Sequence, residues 1–313
     1  MLVDQAESPL YEIQQELLRK GVKNFTSIVA DVRDIVRMEA VFKEFKPDKV
    51  YHAAAYKHVP LMEESPYEAI KININGTKNI ADLSIKHEVD RFVMVSTDKA
   101  VNPTNVMGAS KRVAEMYISC LSNTTKTTKF TTTRFGNVLG SNGSVIPLFK
   151  KQIENGGPLT VTHKDITRYF MTIPEACQLV IEAGTMGEGG EIYIFDMGKS
   201  VKIFDIAKRM IHLSGLKYPD DIDIKITGLR PGEKLYEELL ANGENTTPTY
   251  HEKIMIAKTQ DLNVKDVKEK IENLCVENLK YENNKSVKLI KEIVPEFKSN
   301  NSIYEKLDEK ILN

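Results

Sequence analysis

Short apolar runs alternate with longer amphipathic stretches over the first 140 residues of the chain. This alternation is typical of βαβ units, which form a parallel sheet covered by helices on both faces. The apolar runs predict strands at residues 1–3, 25–30, 49–53, 91–96 and 129–135. The amphipathic stretches predict helices at residues 9–20, 35–45, 66–86 and 106–122. The pattern therefore indicates an α/β fold with a doubly wound parallel sheet.

Glycine and proline interrupt this pattern more often after Gly140, in the segments GSNGSVIP, ENGGPL, GEGGE and LRPGEK. Helices are still predicted at residues 174–183 and 203–213. We therefore expect a first domain over residues 1–140, a smaller mixed lobe over 141–260 and a C-terminal helical extension over 261–313. The extension is charged and amphipathic, which favours helices packed on the body over the alternative of a partner-binding tail.

The start of the chain lacks a motif that this kind of sheet normally carries. Doubly wound sheets that bind dinucleotides hold the pyrophosphate at a G-x-G-x-x-G turn after the first strand, with a ribose-binding acidic residue about 20 residues further on. The segment LVDQAES resembles the acidic end of a second strand, with Asp4 in the ribose position. We therefore expect the first βα unit to be missing, which would leave two strand edges open. Such a chain would bind a dinucleotide poorly and be marginally stable or prone to aggregate.

Composition excludes several other classes of protein. Lys and Arg total 43 against 44 Asp and Glu, so no overall positive charge draws the chain to nucleic acid or to an anionic membrane. The apolar runs are far shorter than the ~18 residues of a membrane span, and the N-terminus has no secretory pattern. Cys120, Cys177 and Cys275 match no zinc spacing and fit a reducing compartment. We expect a cytoplasmic chain that holds no metal.

Two motifs follow predicted strands and point to a ligand at the carboxyl edge of the sheet. In DVRD, Asp31 and the backbone of Val32 suit an adenine edge, although a helix cap at Asp31 is an equal alternative. In HAAAYKHVP, small side chains allow close approach of a ligand, namely Ala53, Ala54 and Ala55. The loop after them brings Lys57 and His58 to the same crevice, although His58 is equally well read as an ordinary loop histidine.

The segment STDKAVNPTNVMGASKR carries the most chemistry. Thr97, Asp98 and Lys99 place a hydroxyl, a carboxylate and an ammonium together at the end of a predicted strand. Met107 and Lys111 are four residues apart on the following helix and so share one face. The segment predicts an acid/base and cofactor-positioning site, and the simpler alternative is a solvated pair of Asp98 and Lys99.

These motifs together resemble the extended short-chain dehydrogenase/reductase family, and within it the nucleotide-sugar 4,6-dehydratases of bacterial polysaccharide and glycan biosynthesis. The similarity runs from Met1 to about Tyr250, through VDQAES, DVRD, HAAAYKHVP, NINGT, STDKAVNPTN, RFGNVLGSNGSVIP, TRYFMTI and LRPGEKLYEELL. It implies a Rossmann-type sheet, a dinucleotide-binding first domain and a nucleotide-sugar-binding lobe. It also implies NAD or NADP as cofactor, a UDP-N-acetylhexosamine as substrate, most often UDP-N-acetylglucosamine, and a homo-oligomer.

The resemblance assigns roles to the central residues. Met107 takes the place of the family's tyrosine and Lys111 that of the lysine that holds the nicotinamide ribose. Methionine has no ionisable proton, a departure shared by a branch of larger, membrane-anchored dehydratases that resemble this chain in reading MGASK. In that branch Thr97 contacts the sugar 4-hydroxyl during oxidation at C4, with Lys111 or water taking part in proton removal.

Elimination of water across C5 and C6 follows the oxidation, and the hydride then returns to C6. The resemblance makes Lys99 the base at C5 and Asp98 the acid that protonates the departing 6-hydroxyl. These roles call for a lysine with a lowered pKa beside a carboxylic acid kept protonated.

Further positions complete the site that the resemblance implies. Asn73 in NINGT supports the active-site lysine or, nearly as well, packs inside its helix. The loop that meets the nucleotide diphosphate and base is expected to use Arg134, Asn137, Ser144 and Val145. In LRPGEK, the planar guanidinium of Arg230 suits a diphosphate and Glu233 orients it, although a lone arginine more often forms a surface salt bridge.

Alternatives to the dehydratase remain open. A nucleotide-sugar 4-epimerase returns the hydride to C4 and normally needs the tyrosine, so Met107 argues against it. A truncated chain that no longer binds cofactor is the other alternative, arising from an internal methionine at Met1 or from a disrupted locus. Asp4 favours NAD over NADP because a carboxylate accepts hydrogen bonds from a 2′-hydroxyl and repels a 2′-phosphate. The full-length protein is expected to be anchored to the inner membrane with its catalytic domain in the cytoplasm.

Overall fold

The computed structural model describes residues 1–240, 245–258 and 262–308. The strands are β1 (Leu2–Asp4), β2 (Ser27–Val29), β3 (Lys49–His52), β4 (Arg91–Val95), β5 (Lys129–Arg134), β6 (Asn137–Val138), β7 (Leu159–Val161), β8 (Thr167–Arg168), β9 (Phe170–Met171), β10 (Ile192–Phe195), β11 (Val201–Lys202), β12 (Ile224–Ile226), β13 (Asn245–Pro248) and β14 (Ile254–Lys258). The helices are α1 (Glu7–Arg19), α2 (Ile35–Phe45), α3 (Val59–Glu64), α4 (Pro66–Ala69), α5 (Thr77–Lys86), α6 (Val106–Ser122), α7 (Val145–Glu154), α8 (Ile173–Met186), α9 (Ile203–Leu213), α10 (Val264–Glu277) and α11 (Asn283–Ile293).

The central sheet has six strands in the order β13-β14-β10-β5-β4-β3. Strands β3, β4, β5 and β10 run parallel, and β14 and β13 add an antiparallel edge. Helices α6 and α8 both pack on strands of this sheet. The predicted α/β fold class is confirmed, and all five predicted strands are present with ends that differ by one or two residues.

Two strand edges near the start of the chain are unpaired. Among the described strands, β1 pairs only with β2, in parallel, and β3 pairs only with β4. The first two strands therefore form a small separate sheet, and β3 is the edge of the large one. Apolar side chains are exposed on both, including Val29 on β2 and Tyr51 on β3. The open edges expected from the sequence are present.

The helix predicted over residues 66–86 is one continuous helical path with a π-helical segment, Ile70–Gly76, between α4 and α5. The wider turn accommodates a crowded position, because a Cβ at Gly76 would lie 2.7 Å from the Val32 side chain.

Helix α2 is capped by Asp34, whose Oδ1 accepts a hydrogen bond from the Arg37 backbone N–H. The alternative of a cap at Asp31 is therefore wrong.

Apolar side chains form separate clusters in the two halves of the chain. The largest cluster joins the N-terminal helices and strands to α10 and α11, through residues such as Ile271 and Ile290. Another fills the mixed lobe around Phe149 and Ile211. Helices α10 and α11 pack directly on α6, as expected of helices that cover the body. The predicted boundary between residues 260 and 261 lies outside the described residues.

Across the described ranges, no helix combines the length and the apolar composition needed to cross a bilayer.

Candidate active site

A polar cluster lies at the carboxyl end of β4, where the chain leaves the sheet in a single 3-10 turn, Asp98–Ala100. Thr97 Oγ1 accepts a hydrogen bond from the Lys99 backbone N–H over 3.3 Å and donates one to Asp98 Oδ1 over 2.9 Å. The Asp98 side chain is fully buried, and its backbone N–H donates to the Phe135 carbonyl just beyond β5. Two neighbouring strand ends therefore fix the hydroxyl and the carboxylate.

The Lys99 ammonium lies between two carboxylates. Its Nζ is 3.0 Å from Asp98 Oδ1 and 3.5 Å from Glu237 Oε1, and it donates to Asn137 Oδ1 over 3.3 Å. Burial alone would lower the pKa of Lys99, but the charges of Asp98 and Glu237 outweigh burial and raise this pKa above its usual value. The expectation of a lowered lysine pKa is therefore wrong for this state. The alternative of a solvated pair is also wrong, because Asp98 is buried.

Helix α6 brings Met107 and Lys111 to the end of β4, and both residues are buried. Lys111 Nζ donates to the Val95 carbonyl over 2.7 Å, and burial lowers the pKa of Lys111 to about 8. The helix approaches the Asp98–Ala100 turn so closely that a Cβ at Gly108 would lie 2.1 Å from the Lys99 carbonyl oxygen. The predicted neighbourhood of strand-end cluster and helix lysine is present.

Asn73 is fully buried and all its side-chain hydrogen bonds are internal. Its Oδ1 accepts from the Tyr56 N–H over 2.8 Å, and its Nδ2 donates to the Tyr56 carbonyl and to Ser110 Oγ. These bonds fit the packing role, and the role of Asn73 in supporting the active-site lysine stays a prediction. By tying the loop after β3 to α6, Asn73 fixes the residue next to Lys111.

Arg134 lies inside the molecule and not on the substrate loop. Its guanidinium forms a fully buried ion pair with Glu115 of α6, with Nη2 2.7 Å from Oε2. Ser96 Oγ and Arg112 bind the same carboxylate. Although burial alone would raise the pKa of Glu115, Arg134 and then Arg112 lower it to about 2. Arg134 joins β5 to α6, and the expected substrate contact at this residue is wrong.

Basic side chains gather on one side of the polar cluster. Lys57 Nζ donates to the Asn142 carbonyl, which joins the loop after β3 to the loop before α7. Burial lowers the pKa of Lys57, with a further contribution from the Lys99 charge. Burial also lowers the pKa of His58, with contributions from Lys57 and Arg230. The predicted basic residues thus lie close enough to repel one another, as a site for an anionic ligand requires.

A chain of alternating charges connects Arg230 to Lys99. The exposed Arg230 guanidinium is 3.1 Å from Glu233 Oε1, and Glu233 Oε2 accepts from the Arg230 N–H, as expected of an orienting residue. Arg168 Nη2 lies 3.5 Å from Glu233 Oε1, and Arg168 Nε lies 3.6 Å from Glu237 Oε1. Because Glu237 contacts Lys99, Arg230 and the strand-end cluster belong to one connected network.

Two other predicted substrate residues lie at the start of α7. Ser144 is the residue before this helix, and its buried Oγ has no hydrogen-bond partner among the described residues. Val145 packs on the apolar core of the mixed lobe, away from the strand-end cluster. Of the expected loop residues, Asn137 is the one that contacts Lys99.

The predicted cofactor residues lie at the carboxyl ends of β1, β2 and β3. The Asp4 carboxylate is exposed and accepts a hydrogen bond from the Ala6 N–H. Asp31 accepts three hydrogen bonds from the Arg33 side chain, and this side chain also donates to Gln5. The three small residues after β3 are exposed or half-buried, namely Ala53, Ala54 and Ala55. Val32 packs against Gly76 and supports this edge from below.

The sequence motifs do not single out Arg168 or Glu237. Arg168 stands in TRYFMTI and Glu237 in KLYEELL, inside segments that carry the family resemblance. Glu233 and Glu237 are four residues apart, which in a helix would place both on one face. This stretch is not helical in the structure, so the spacing does not predict where the two carboxylates lie. Glu115 is likewise unmarked, because an acidic residue in an amphipathic helix is normally exposed.

The central sheet and its covering helices define a Rossmann-type α/β protein. The chain belongs to the polysaccharide biosynthesis protein family, which matches residues 1–259.

Similar relatives include a polysaccharide biosynthesis protein, a dehydratase and an epimerase. The capsular polysaccharide biosynthesis protein CapD of Staphylococcus aureus is 56% identical over 260 residues, which is 82% of this chain and 43% of the relative. A UDP-N-acetylglucosamine 4,6-dehydratase (inverting) of Campylobacter jejuni is 37% identical, over 69% of this chain and 63% of the relative. A UDP-glucose 4-epimerase of Rickettsia canadensis is 37% identical, over 74% and 67%.

Among solved structures, Pen from Bacillus thuringiensis is similar in fold and sequence. It superposes with a TM-score of 0.75 at 35% identity, over 83% of this chain and 79% of that one. The present chain spans less than half the length of the Staphylococcus relative and of EpsC from Bacillus subtilis, of which it covers 44%.

Proposed function

We propose that this protein dehydrates a UDP-N-acetylhexosamine, most simply UDP-N-acetylglucosamine, to a 4-keto-6-deoxy sugar nucleotide for polysaccharide biosynthesis. The observation that carries the proposal is the triplet of half-buried Thr97, fully buried Asp98 and half-buried Lys99 near buried Lys111, with methionine at position 107. The site offers an acid and a base side by side, which an elimination needs. The Campylobacter relative, named for this reaction, supports the choice of substrate.

The roles follow from where each group lies. Thr97 carries a hydroxyl at the rim of the cluster, suited to the sugar 4-hydroxyl. Asp98 has one buried carboxylate oxygen, Oδ2, without a hydrogen-bond partner among the described residues, which suits a proton passed to the departing 6-hydroxyl. Lys99 Nζ lies close enough to Asp98 for the two groups to act on neighbouring carbons of the sugar. Lys99 would take the proton from C5, which the 4-ketone makes acidic.

Lys99 has to be neutral to act as this base. In the present state its carboxylate neighbours raise its pKa, so the ammonium form dominates at neutral pH. We infer that substrate binding changes this balance. A neutral sugar ring excludes water from the cluster, and the Lys99 proton then passes to Asp98 across their 3.0 Å contact, which leaves a neutral base beside a carboxylic acid.

The residues at the sheet edge fit the riboses and the adenine of a nicotinamide dinucleotide, whereas this sequence contains no G-x-G-x-x-G turn for the pyrophosphate, so NAD has to be supplied in excess in the test. Such a cofactor, when bound, supplies the hydride acceptor and donor for oxidation at C4 and reduction at C6. Lys111 would hold its nicotinamide ribose, Asp4 its adenine ribose and Asp31 with Val32 its adenine, while Ala53 and Ala54 leave room for its backbone. The exposed Asp4 carboxylate favours NAD, and Arg33, bound to Asp31 and Gln5, is the cation through which NADP would be accepted.

The basic residues around the cluster supply the anion site. Lys57, His58 and Arg230 lie together without overall positive charge on the chain, so attraction to an anion is local. Arg230 is oriented by Glu233 and remains exposed, as a residue that receives a diphosphate has to be. UDP alone should therefore bind to this chain, and the Arg230→Gln substitution should weaken UDP binding.

The test uses Asp98→Asn and Lys99→Met, each compared with the parent chain and with Glu188→Gln, an exposed residue outside the site. Each protein is incubated with NAD and UDP-N-acetylglucosamine in deuterated water, and the product is followed by NMR. We expect a 4-keto-6-deoxy product with solvent deuterium at C5 from the parent and from Glu188→Gln. Both site variants should be slower by about a hundredfold or more. Turnover at the parent rate in either site variant would refute the assignment.

The second candidate is a 4-epimerase, favoured by the Rickettsia relatives, which match over a similar share of the chain. Met107 argues against it, because a thioether neither gives nor takes a proton. The same NMR experiment separates the two: a product that retains its 6-hydroxyl and is inverted at C4 establishes the epimerase and removes the dehydratase.

A cytoplasmic site of action, a homo-oligomer and membrane anchoring of the full-length protein remain proposals. The unpaired state of Cys120, Cys177 and Cys275 is consistent with a reducing compartment.

A further inference from the structure

Glu237 is an acidic side chain buried beside the polar cluster, although its segment has no regular secondary structure. Its Oε1 lies 3.5 Å from Lys99 Nζ and 3.6 Å from Arg168 Nε. Its second oxygen, Oε2, is buried and has no hydrogen-bond partner among the described residues. A carboxylate in such a place strongly destabilises the fold unless it is paired, so its position needs an explanation.

Neutralising Arg168 does not explain it. The Arg168 guanidinium donates to the carbonyls of Thr167 and Lys234 and also faces Glu233. Arg168 therefore has a carboxylate of its own without Glu237. Lys99, in contrast, projects between Asp98 and Glu237, so that Glu237 is the counter-charge supplied from outside the 3-10 turn.

We propose that Glu237 is a positioning residue for the reaction at Lys99: its carboxylate, held by Arg168, keeps the Lys99 ammonium between itself and Asp98. Asp98 alone belongs to the same turn and moves with Lys99. Glu237 comes from the LRPGEKLYEELL segment, 138 positions further along the chain, and so fixes the lysine relative to Arg230 of the same segment. The lysine is thereby set in place before the sugar arrives.

The charges that face this pair come from several elements. Asp98 lies on the 3-10 turn, Arg168 on β8, Lys234 and Glu233 on the RPGEK segment, and Lys57 on the loop after β3. Burial raises the pKa of Glu237, with Asp98 adding to the rise while Lys99 and Arg168 oppose it. Removal of the Glu237 charge leaves Lys99 with one carboxylate against Arg168 and Lys57. Lys99 should then lose its proton at a lower pH.

The proposal rests on the proposed function for its meaning in catalysis, but its central measurement does not require turnover. Lysines of the whole chain are converted to isotope-labelled dimethyl-lysine, which retains the charge, and are titrated by NMR. The Lys99 resonance is assigned by its loss in Lys99→Arg. The variants are Glu237→Gln and, as matched control, Glu238→Gln, which removes an exposed carboxylate one position away that pairs with Lys234.

In the parent, Lys99 should titrate above the ordinary value of a lysine side chain. Glu237→Gln should lower the Lys99 midpoint by about one pH unit or more, a tenfold rise in its neutral fraction, and Glu237→Asp should restore part of the shift. Glu238→Gln should leave the midpoint unchanged. A parent midpoint at or below the ordinary lysine value overturns the proposal without any variant. So does a folded Glu237→Gln protein with the parent midpoint.

If turnover is detected, the pH–rate profile gives a second reading. The acidic limb should move to lower pH in Glu237→Gln, because neutral Lys99 forms more readily, and should not move in Glu238→Gln. A chain that gives no dehydration product but shows the predicted titration shift refutes the proposed function and leaves the role of Glu237 intact. If the parent forms the dehydration product but Glu237→Gln leaves both the pH–rate profile and the Lys99 midpoint unmoved, the proposed function stands and the role of Glu237 is refuted.

Discussion

The buried ion pair between Glu115 and Arg134 should control the stability of the site-bearing half of the molecule. Glu115→Gln keeps the shape of the side chain and removes its charge. It removes one negative charge from the neighbourhood of the buried Arg134 guanidinium and of Arg112. Ser96, whose hydroxyl donates to Glu115, keeps an acceptor in the amide oxygen. The change therefore keeps the packing and removes the charge together with one hydrogen-bond acceptor, because the new amide nitrogen faces the N–H groups of Arg112 and Arg134.

The magnitude follows from the Glu115 pKa. A carboxyl whose pKa falls from 4.5 in the unfolded chain to about 2 in the folded one contributes about 3 kcal/mol at neutral pH. The folded pKa is lowered, so this contribution is complete above the unfolded pKa. It shrinks as pH falls, to about 1 kcal/mol near pH 3.

Urea unfolding followed by far-ultraviolet circular dichroism, at neutral pH and again near pH 3, measures both quantities. Glu188→Gln is the control, because its carboxylate pairs with Lys129 at the surface and should have no measurable effect. The Glu115 argument is refuted if Glu115→Gln unfolds at the parent urea concentration at neutral pH. It is also refuted if the difference between parent and variant does not shrink on acidification.

Two further predictions concern the C-terminal segment and the exposed edge of β3. Lys291→Met should speed amide exchange over residues 298–308, because the buried Lys291 binds Asp308 and Ser299. Lys288→Met, on the exposed face of α11, should not change this exchange, and equal exchange in both variants contradicts the prediction. Tyr51→Lys, which adds a charge to the unpaired β3 edge, should reduce aggregation of the isolated chain in light scattering, and an unchanged aggregation rate would count against the open edge as its cause.

The sheet and most helices could be predicted because local signals agree with the fold. Helix α6 begins where expected because Asn105 Oδ1 accepts from the Gly108 N–H, and α2 begins where expected because Asp34 does the same for Arg37. The π-helical segment could not be predicted, because the cause is tertiary: Gly76 packs against Val32, which is distant in sequence.

The site was predictable where its chemistry is local and not where it depends on distant partners. Thr97, Asp98 and Lys99 adjoin one another, and Lys111 follows on the next helix. Arg134, in contrast, is an arginine at the end of a strand next to a Gly-rich loop, a pattern shared by ligand-binding arginines. Its burial depends on Glu115, which lies on a different element, so no local pattern separates the two roles.

Helix α6 connects the residues of the candidate site to the buried charges that stabilise the fold. At its start, Gly108 lies so close to the Lys99 carbonyl that any larger residue would displace the turn. Further along, Lys111 reaches the Val95 carbonyl, and one turn later Glu115 binds Ser96 and Arg134. Each contact ends on β4, on β5 or on the turn that follows β4. The position of Lys111 relative to Lys99 therefore depends on the same buried charges that stabilise the fold, and weakening the Glu115 pair should disturb the site before the sheet unfolds.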